Sequence, residues 1–313
     1  MRDFRFSCNV FAIRSREHFV QYCRDAERRG YDVVFTTDHL GSPSPFPPLA
    51  TAAEVTERLR LGTLVLNVSF WNPHLLARDV ATADLLTDGR LELGIGAGHM
   101  KWESDAAGIP WAPFGDRVRQ VAATLDELER IFAAGGYAER KAQEEFYGLP
   151  ALAPVQRRGF NGSGPPLIIG GTGDRMLALA ARRAEIVSLG GLIQAPGEPP
   201  GTFRLATAAA AAERVRFIRD QAGDRAADLE LNVLVQAVLV TADRRGAAEK
   251  AAADHFPYLS AAEVLETPFL LIGTIDEIAQ QLRERRDRYG ITFITVHEPY
   301  MADFAPVIER IRG

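Results

Sequence analysis

LRLGTLVLNVSFWNPHLLARDVATADLLTDGRLELGIGAG, residues 59–98, has the pattern of a strand, a helix and a second strand. The apolar run at 59–70 is followed by Asn-Pro at 72–73, and proline is common in the first turn of a helix. A helix is predicted at 74–86, and the β-prone run at 90–98 follows it. Two strands joined by a helix are expected to lie parallel in one sheet, because parallel strands need a crossover connection.

The same alternation of short apolar strands and amphipathic helices continues along the whole chain. Several strands are apolar on both faces, as parallel strands buried between two layers are. Eight such units favour a (β/α)8 TIM barrel, and a doubly wound open sheet is the alternative. The predicted strands cover residues 4–13, 31–40, 59–70, 90–98, 166–171, 185–191, 229–241 and 290–299.

The chain is predicted to form a single barrel domain over residues 1–313. Two stretches, near 134–165 and 190–205, are rich in glycine and proline and interrupt the alternation. In a barrel such stretches are accommodated as loops, and we expect them to be insertions over the C-terminal mouth.

The composition is that of an ordinary globular protein, with 47% hydrophobic and 25% charged residues and a net charge of −5. There is no basic stretch of the kind that follows a nucleic-acid backbone, and no apolar run approaches the roughly 20 residues that span a bilayer. The N-terminus lacks an apolar signal core, and two cysteines, Cys8 and Cys23, do not indicate a disulfide framework. We expect a cytoplasmic protein that acts on a small molecule and binds neither nucleic acid nor membrane.

Polar residues and glycines follow the predicted strands at the end where TIM barrels carry their active sites. The stretch VVFTTDHL changes from a buried strand to a carboxylate and an imidazole within a few residues. An imidazole exchanges protons near neutral pH, so His39 is a candidate catalytic group and Asp38 a candidate partner. The alternative is that His39 only forms a hydrogen bond across the barrel mouth. Other residues in equivalent positions are Asn67, Gly96, Gly98, His99, Ser188 and His297.

A second candidate is the turn in LIIGGTGDRMLALAARR, where a strand runs through glycines into a helix. Free backbone N–H groups at a helix N-terminus bind anions, and glycines let a phosphate approach closely. Gly170, Gly171, Thr172 and Gly173 are therefore predicted to hold a cofactor phosphate, and a tight turn is the alternative.

LGIGAGHMKWE does not match a dinucleotide fingerprint, because His99 occupies the position of the third glycine. Gly96 and Gly98 are interpreted as allowing a flat ligand to approach the strand end, with a plain flexible loop as the alternative. Three histidines at strand ends also raise the question of a metal. The chain has no HxH, no HExxH and no close cysteine pair, so a barrel metallohydrolase is not supported and no metal is predicted.

Taken together, these motifs resemble the luciferase-like monooxygenase superfamily, and most closely its branch that depends on the deazaflavin coenzyme F420. The resemblance covers essentially the whole chain, and the 59–98 segment is its most specific part. The segments that carry it are FTTDHL, residues 59–98, PLIIGGTGDRMLALAARRAEIV, LIGTIDEIAQQLRER and the end of the eighth strand.

The resemblance implies a (β/α)8 barrel that binds F420 or FMN, often as a homodimer. It places Asp38 and His39 beside the cofactor ring, with His39 as a proton donor or acceptor. It implies a cis peptide bond between Leu64 and Val65 that supports the ring. For the remaining parts of the cofactor it implies contacts from Asn67, Gly98, His99, Gly170, Gly171, Thr172 and Gly173. Gly96 and Ser188 are further cofactor-binding candidates because of their positions at strand ends.

The predicted function is an F420-dependent oxidoreductase that transfers a hydride between the deazaflavin and a small apolar or aromatic substrate. Only three lysines occur in the chain, which argues against a sugar phosphate, and the three tryptophans favour an apolar substrate. One alternative is an FMN-dependent monooxygenase of the same superfamily that uses molecular oxygen. Another is a non-catalytic barrel that stores or senses a flavin.

Overall fold

A computed structural model describes residues 2–195, 197–199 and 201–313. Pro196 and Pro200, in the predicted insertion near 190–205, lie outside the described residues. The strands are β1 Arg5–Val10, β2 Val33–Thr36, β3 Arg60–Thr63, β4 Leu66–Asn67, β5 Leu91–Gly96, β6 Leu167–Gly170, β7 Ile186–Leu189, β8 Leu192–Gln194, β9 Phe203–Leu205, β10 Glu230–Val235, β11 Ala237–Val240, β12 Leu270–Gly273 and β13 Ile291–His297.

The helices alternate with these strands. They are α1 Arg16–Arg28, α2 Phe46–Val55, α3 Pro73–Leu86, α4 Lys101–Ala107, α5 Phe114–Ala133, α6 Ala138–Tyr147, α7 Asp174–Arg183, α8 Ala208–Ala222, α9 Arg244–Asp254, α10 Ala261–Glu266, α11 Ile275–Tyr289 and α12 Met301–Arg312. None of the helices in the described part of the chain has the length and apolarity needed to cross a lipid bilayer.

The parallel strands close into a barrel. Their order is β3-β2-β1-β13-β10-β7-β6-β5-β4, and pairing between β3 and β5 closes the ring. Since β3 and β4 are two parts of one segment, the described residues form eight wall positions. The predicted TIM barrel is therefore confirmed, and the doubly wound open sheet is wrong.

Two layers of apolar side chains hold the barrel together. All four residues of β2 are buried, as expected for a strand covered on both faces. A small cluster that includes Phe35 and Phe293 fills the barrel interior, and a larger one packs between the strands and the outer helices. Helix starts agree with the sequence signals: Asn72 caps the first turn of α3, and Thr274 with Glu277 forms a capping box on α11.

The predicted third strand is interrupted at the barrel mouth. β3 ends at Thr63, a cis peptide bond joins Leu64 to Val65, and β4 is followed by a short 3-10 turn over Val68–Phe70. The cis bond lies where the resemblance implied it.

Two other predicted elements differ from the structure. The strand predicted at 229–241 divides at Gln236, whose N–H donates to Phe269 O at 2.8 Å. The chain thereby leaves the barrel, and β11 pairs with β12 in a separate two-stranded sheet. The stretch near 190–205, predicted as a loop, contains strand Phe203–Leu205, which pairs with β8 as an antiparallel hairpin, and helix α8 then begins at Ala208.

Candidate active site

A cavity of about 340 Å³ opens at the C-terminal ends of the barrel strands. It contains every residue predicted to be catalytic or to bind the cofactor, except Gly173. The predicted residues that line it are Asp38, His39, Leu64, Val65, Asn67, Gly96, Gly98, His99, Gly170, Gly171, Thr172 and Ser188. Residues from five different strand ends thus converge on one space, as the barrel topology requires.

Asp38 connects the end of β2 to the segment after β4. Its Oδ2 accepts the backbone N–H of Asn67 at 2.9 Å and the indole Nε1–H of Trp71 at 2.8 Å. Burial raises the pKa of the Asp38 carboxyl, and these two donors act in the opposite direction by stabilising its charge. Both donors belong to the polypeptide, so Asp38 holds the wall of the cavity in place.

His39 is paired with a buried carboxylate. Its Nδ1 lies 2.9 Å from Oε1 of Glu103, which also accepts the backbone N–H of Leu40 at 3.2 Å. Glu103 is 1% exposed, while a third of the His39 side chain remains accessible. A carboxylate at Nδ1 fixes the ring so that Nε2 is left for other partners, and Nε2 has none among the described residues. This pair can accept or donate a proton at the cavity.

Sequence reasoning found His39 but not its partner Glu103. The missing information was helix α4, since the loop after β5 showed no periodicity that would predict it. Glu103 stands in the first turn of this short helix, and the helix turns its carboxylate inward. A pairing between residues 64 positions apart depends on the fold and has no local signature.

His99 lies at the mouth of the cavity, edge-on to His39 with ring centroids 5.3 Å apart. Phe203 of β9 contacts its other side at 5.6 Å. The pKa of His99 is lowered to about 4. Desolvation by burial is the main cause, and the neighbouring His39 and Arg117 lower the pKa further. His99 is therefore an uncharged polar group at neutral pH and does not supply a cation to the site.

Arg117 of α5 holds the glycine loop after β5. It is 8% exposed and donates hydrogen bonds to the carbonyl oxygens of Ala97, at 3.0 Å, and Gly98. Its guanidinium stacks on Trp111 at 3.8 Å. Sequence reasoning missed this residue, because an arginine in an amphipathic helix looks like a surface charge. Its contacts fix the position of the backbone that approaches the cavity.

The glycine turn after β6 leads into the N-terminus of α7. Its N-cap residue, Gly173, has no side chain to occupy the first amide groups of the helix. A Cβ atom on Gly170 would come within 3.2 Å of Val65, and one on Gly171 within 2.5 Å of Met176. The glycines thus permit close packing at this edge of the cavity, and the helix terminus is free to accept an anion.

Further features of the cavity fit a large polar cofactor. Thr37 is 4% exposed and lines the cavity, and its hydroxyl has no hydrogen-bond partner in the described part of the chain. A buried hydroxyl without a partner costs free energy unless a ligand satisfies it. Together with the uncapped helix terminus, this hydroxyl makes the residues compatible with a flavin-type cofactor that has a polar ring edge and a phosphate.

The wall on the other side of the cavity was not predicted. Nδ1 of His297 lies 3.2 Å from Oδ1 of Asn9, and Nε2 lies 3.4 Å from Oε1 of Gln236. Phe11 packs against the His297 ring at 5.0 Å between centroids. Burial lowers the pKa of His297 to about 4. His297 was noted at a strand end, but its partners come from β1 and from the residue after β10.

The charges in the cavity are carboxylates. Asp38 and Glu103 line it, and no lysine or arginine does so in the ranges that the structure describes. No group of three or more His, Cys, Asp or Glu side chains is placed to hold a metal ion within those ranges.

A closed TIM barrel with a cavity at the C-terminal strand ends, an imidazole–carboxylate pair in that cavity and an uncapped helix terminus at its edge is the architecture of the class of cofactor-binding barrels. Within that class the chain belongs to the luciferase-like monooxygenase family, whose model matches residues 6–288. The family predicted from the sequence is thus confirmed.

Relatives of the chain use two kinds of cofactor. The chain is 34% identical over 182 residues to an F420-dependent glucose-6-phosphate dehydrogenase of Intrasporangium calvum. The matched region covers 51% of this chain and 53% of the relative. The chain is 30% identical over 119 residues to the oxygenase component of a flavin-dependent trigonelline monooxygenase of Acinetobacter baylyi, covering 36% and 33% of the two chains. The chain spans about half the length, or less, of these curated relatives.

A solved structure of similar fold is an F420-dependent secondary alcohol dehydrogenase in complex with an F420-acetone adduct. It covers 100% of both chains with a TM-score of 0.72 and 15% sequence identity. At this identity the likeness concerns the fold.

Proposed function

We propose that the chain is an F420-dependent oxidoreductase that transfers a hydride between the deazaflavin and a small, uncharged, largely apolar organic substrate. The observation that carries the proposal is the buried Glu103 carboxylate on Nδ1 of His39, in the cavity that Leu64 and Val65 also line. A hydride transfer to or from a carbon–oxygen bond also moves one proton, and this pair is built to carry it.

The residues that would hold the cofactor come from one side of the barrel. Asp38, Leu64, Val65 and Asn67 would contact the ring, with the Thr37 hydroxyl as a further partner. The polar tail would pass Gly96, Gly98 and His99, and the phosphate would meet the backbone amides of Gly170, Gly171, Thr172 and Gly173, with Ser188 beside them. When bound, the deazaflavin supplies the carbon that accepts or donates the hydride.

The chain's own contribution is position and proton transfer. Glu103 holds the His39 ring through Nδ1, so that Nε2 can take the hydroxyl proton of an alcohol or return it to a carbonyl oxygen. Asp38 keeps the segment after β4 in register through Asn67 and Trp71. Arg117 holds the carbonyl groups of the loop after β5.

An FMN-dependent monooxygenase that uses molecular oxygen is the second candidate. The relationship to the trigonelline monooxygenase component favours it. A barrel that only stores or senses a flavin would have no need for the His39–Glu103 pair, so we rank it below both enzymes.

Cofactor choice is tested by titrating the purified protein with F420 and with FMN while following tryptophan fluorescence. Trp71 donates to Asp38 at the cavity wall, so its emission should respond to the cofactor. We expect F420 to bind with a micromolar Kd and to be reduced by an alcohol substrate in a single turnover. Tight FMN binding without F420 binding would show that the second candidate is correct. Binding of either cofactor with no turnover over a broad alcohol and carbonyl panel would favour the storage role.

We also propose that the chain forms a homodimer through the outer face of α3 and the 137–155 segment. Helix α6 has no buried residue, and Phe146 is 80% exposed. A lone ten-residue helix that buries nothing is marginal in water. The exposed apolar residues of this surface are Leu75, Leu85, Leu86, Tyr137, Phe146, Tyr147, Leu149, Leu152 and Val155. A cytoplasmic location remains a prediction from the sequence.

A further inference from the structure

Three polar residues form one wall of the cavity: Asn9 in β1, His297 at the end of β13 and Gln236 after β10. We call them the amide–imidazole wall. In the strand order of the barrel they lie opposite β3–β4, β5 and β6, which carry most of the proposed cofactor residues. A cofactor held on those strands would leave this wall to face the substrate.

The wall has unused hydrogen-bonding capacity. Both ring nitrogens of His297 face amide oxygens, at 3.2 Å and 3.4 Å. The Gln236 amide is oriented by its Nε2, which donates to Gly190 O at 2.7 Å. A neutral imidazole has a single N–H and can satisfy only one of the two oxygens. The Asn9 amide nitrogen has no hydrogen-bond partner in the described ranges, so a ligand could receive its N–H.

Away from the helix terminus after the glycine turn, the side chains of the cavity disfavour an anion. The wall contains only neutral groups when the imidazole is unprotonated, and burial lowers the pKa of His297 to about 4. The charged residues that line the cavity are the carboxylates Asp38 and Glu103. An anionic substrate would lose its water shell next to these carboxylates, and no cation among the described residues of the cavity lining would compensate for the loss. Its binding would therefore cost free energy.

We infer that the amide–imidazole wall binds a neutral carbonyl, hydroxyl or amide group of the substrate, separate from the reacting carbon, and thereby selects uncharged substrates over carboxylates and phosphates. This inference rests on the proposed function and adds the substrate class. Phe11, which packs on the His297 ring, makes the surroundings of that polar group apolar. The wall acts in binding, and the His39–Glu103 pair acts in proton transfer.

The test compares two probes of nearly equal size, para-hydroxymethylbenzamide and para-hydroxymethylbenzoate, by isothermal titration calorimetry. The amide is expected to bind at least about tenfold more tightly than the carboxylate, since about 1.4 kcal/mol separates a satisfied from an unsatisfied polar group. Asn9→Asp should weaken binding of the amide by about tenfold, because a carboxylate cannot donate a hydrogen bond to it. Gln236→Glu should have a similar effect, because it removes the donor to Gly190 O that orients this side chain in the wall. Gln221→Glu on the exposed side of α8 is the matched control and should change nothing.

Three results would overturn the inference: equal or tighter binding of the benzoate, no binding of the amide at millimolar concentration, or unchanged amide affinity in both wall variants. The titrations are run on protein loaded with F420, loaded with FMN and without cofactor. Failure of F420 to bind or to be reduced contradicts the proposed function, and the ratio of the two probe affinities still decides the inference.

Discussion

At the scale of single residues, Glu103 decides whether His39 is a catalytic group or a structural one. Glu103→Gln keeps an oxygen for the N–H groups of His39 and Leu40 but removes the negative charge beside the ring. We expect single-turnover hydride transfer to slow by about 100-fold or more, which is the usual contribution of a positioned acid–base group. Stopped-flow absorbance of the deazaflavin measures this rate.

The same change at Glu249, an exposed partner of Arg245, is the control and should leave the rate as it is. F420 affinity should stay within about threefold in both variants, since neither change removes a proposed cofactor contact. A Glu103→Gln variant that transfers hydride at the wild-type rate would show that the pair is structural.

Asp38 gives a prediction about the pH dependence of stability. Burial raises the pKa of Asp38 above its value in the unfolded chain, so the protonated form is favoured by folding. The stability that Asp38 contributes is therefore fully present below the pKa that this carboxyl has in the unfolded chain. It is lost as the pH rises through the higher pKa that the carboxyl has in the folded chain. Asp38→Asn should therefore raise the Tm at pH 7, and the gain should disappear towards pH 3.

Thermal unfolding across this pH range measures the effect, with Asp224→Asn on an exposed turn as the control. The asparagine oxygen can still accept the N–H groups of Asn67 and Trp71, so the hydrogen bonds do not obscure the comparison. A gain that is equal at pH 3 and pH 7 would contradict the role assigned to burial.

The single residues that sequence reasoning identified share one property: each follows a strand in the chain. Asp38, His39 and the glycine turn were found because their position after a parallel strand predicts where they lie. Glu103 and Arg117 approach the same cavity from helices, and their orientation depends on helix packing. Asn9 is polar within an apolar strand, which was a signal, but one polar residue does not reveal its partners.

At the scale of elements, the ends of the strands opposite the cavity are joined by buried charges. Glu92 in β5 is 1% exposed and accepts hydrogen bonds from Arg5 of β1 and, at 2.5 Å, from Nε of Arg60 in β3. Nη1 of Arg5 also pairs with Glu230 of β10 at 2.6 Å. These residues stand at or near the first positions of their strands and close the floor of the barrel.

Glu92→Gln should lower the free energy of unfolding by about 3 kcal/mol, because breaking a buried ion pair leaves its partners uncompensated. Guanidinium unfolding measures this change, and Glu249→Gln in an exposed pair should cost less than about 0.5 kcal/mol. The F420 affinity of the Glu92 variant should remain that of the wild type, since the floor and the cavity are at opposite ends. If Glu92→Gln lowered the free energy of unfolding no more than Glu249→Gln does, solvent would already screen the ion pairs of Glu92 with Arg5 and Arg60.

The elements could be predicted where their pattern was local. Apolar runs and helix caps predicted the barrel strands and the helices that connect them. The division of 229–241 at Gln236 could not be predicted, because it depends on a strand at Leu270–Gly273 that lies far away in the sequence. The β8–β9 hairpin is equally non-local: three-residue strands in a glycine- and proline-rich stretch carry too few residues to show a period.

At the scale of the whole molecule, α3 and the 137–155 segment carry nine exposed apolar side chains between them, and two hydrogen-bonded contacts join the two segments into one band. Nδ1 of His74 lies 3.0 Å from the Tyr137 hydroxyl at one end, and the Asp84 carboxylate accepts the Val155 N–H at 2.7 Å at the other. Exposed apolar residues gathered on neighbouring segments are typical of an interface. A second copy of the chain can cover it with the same band, since a two-fold interface is self-complementary.

We therefore expect a mass of twice 34.3 kDa by analytical ultracentrifugation at micromolar concentration. Leu86→Glu combined with Phe146→Glu should convert the protein to a monomer, because charges at 57% and 80% exposed positions are tolerated in the free chain but not in an apolar interface. Val240→Glu, at an exposed position outside the band, is the control and should leave the dimer intact. The cavity is formed within one chain, so the monomeric variant should still bind F420. A wild-type protein that sediments as a monomer would exclude this interface and would require α6 to be stable without a partner.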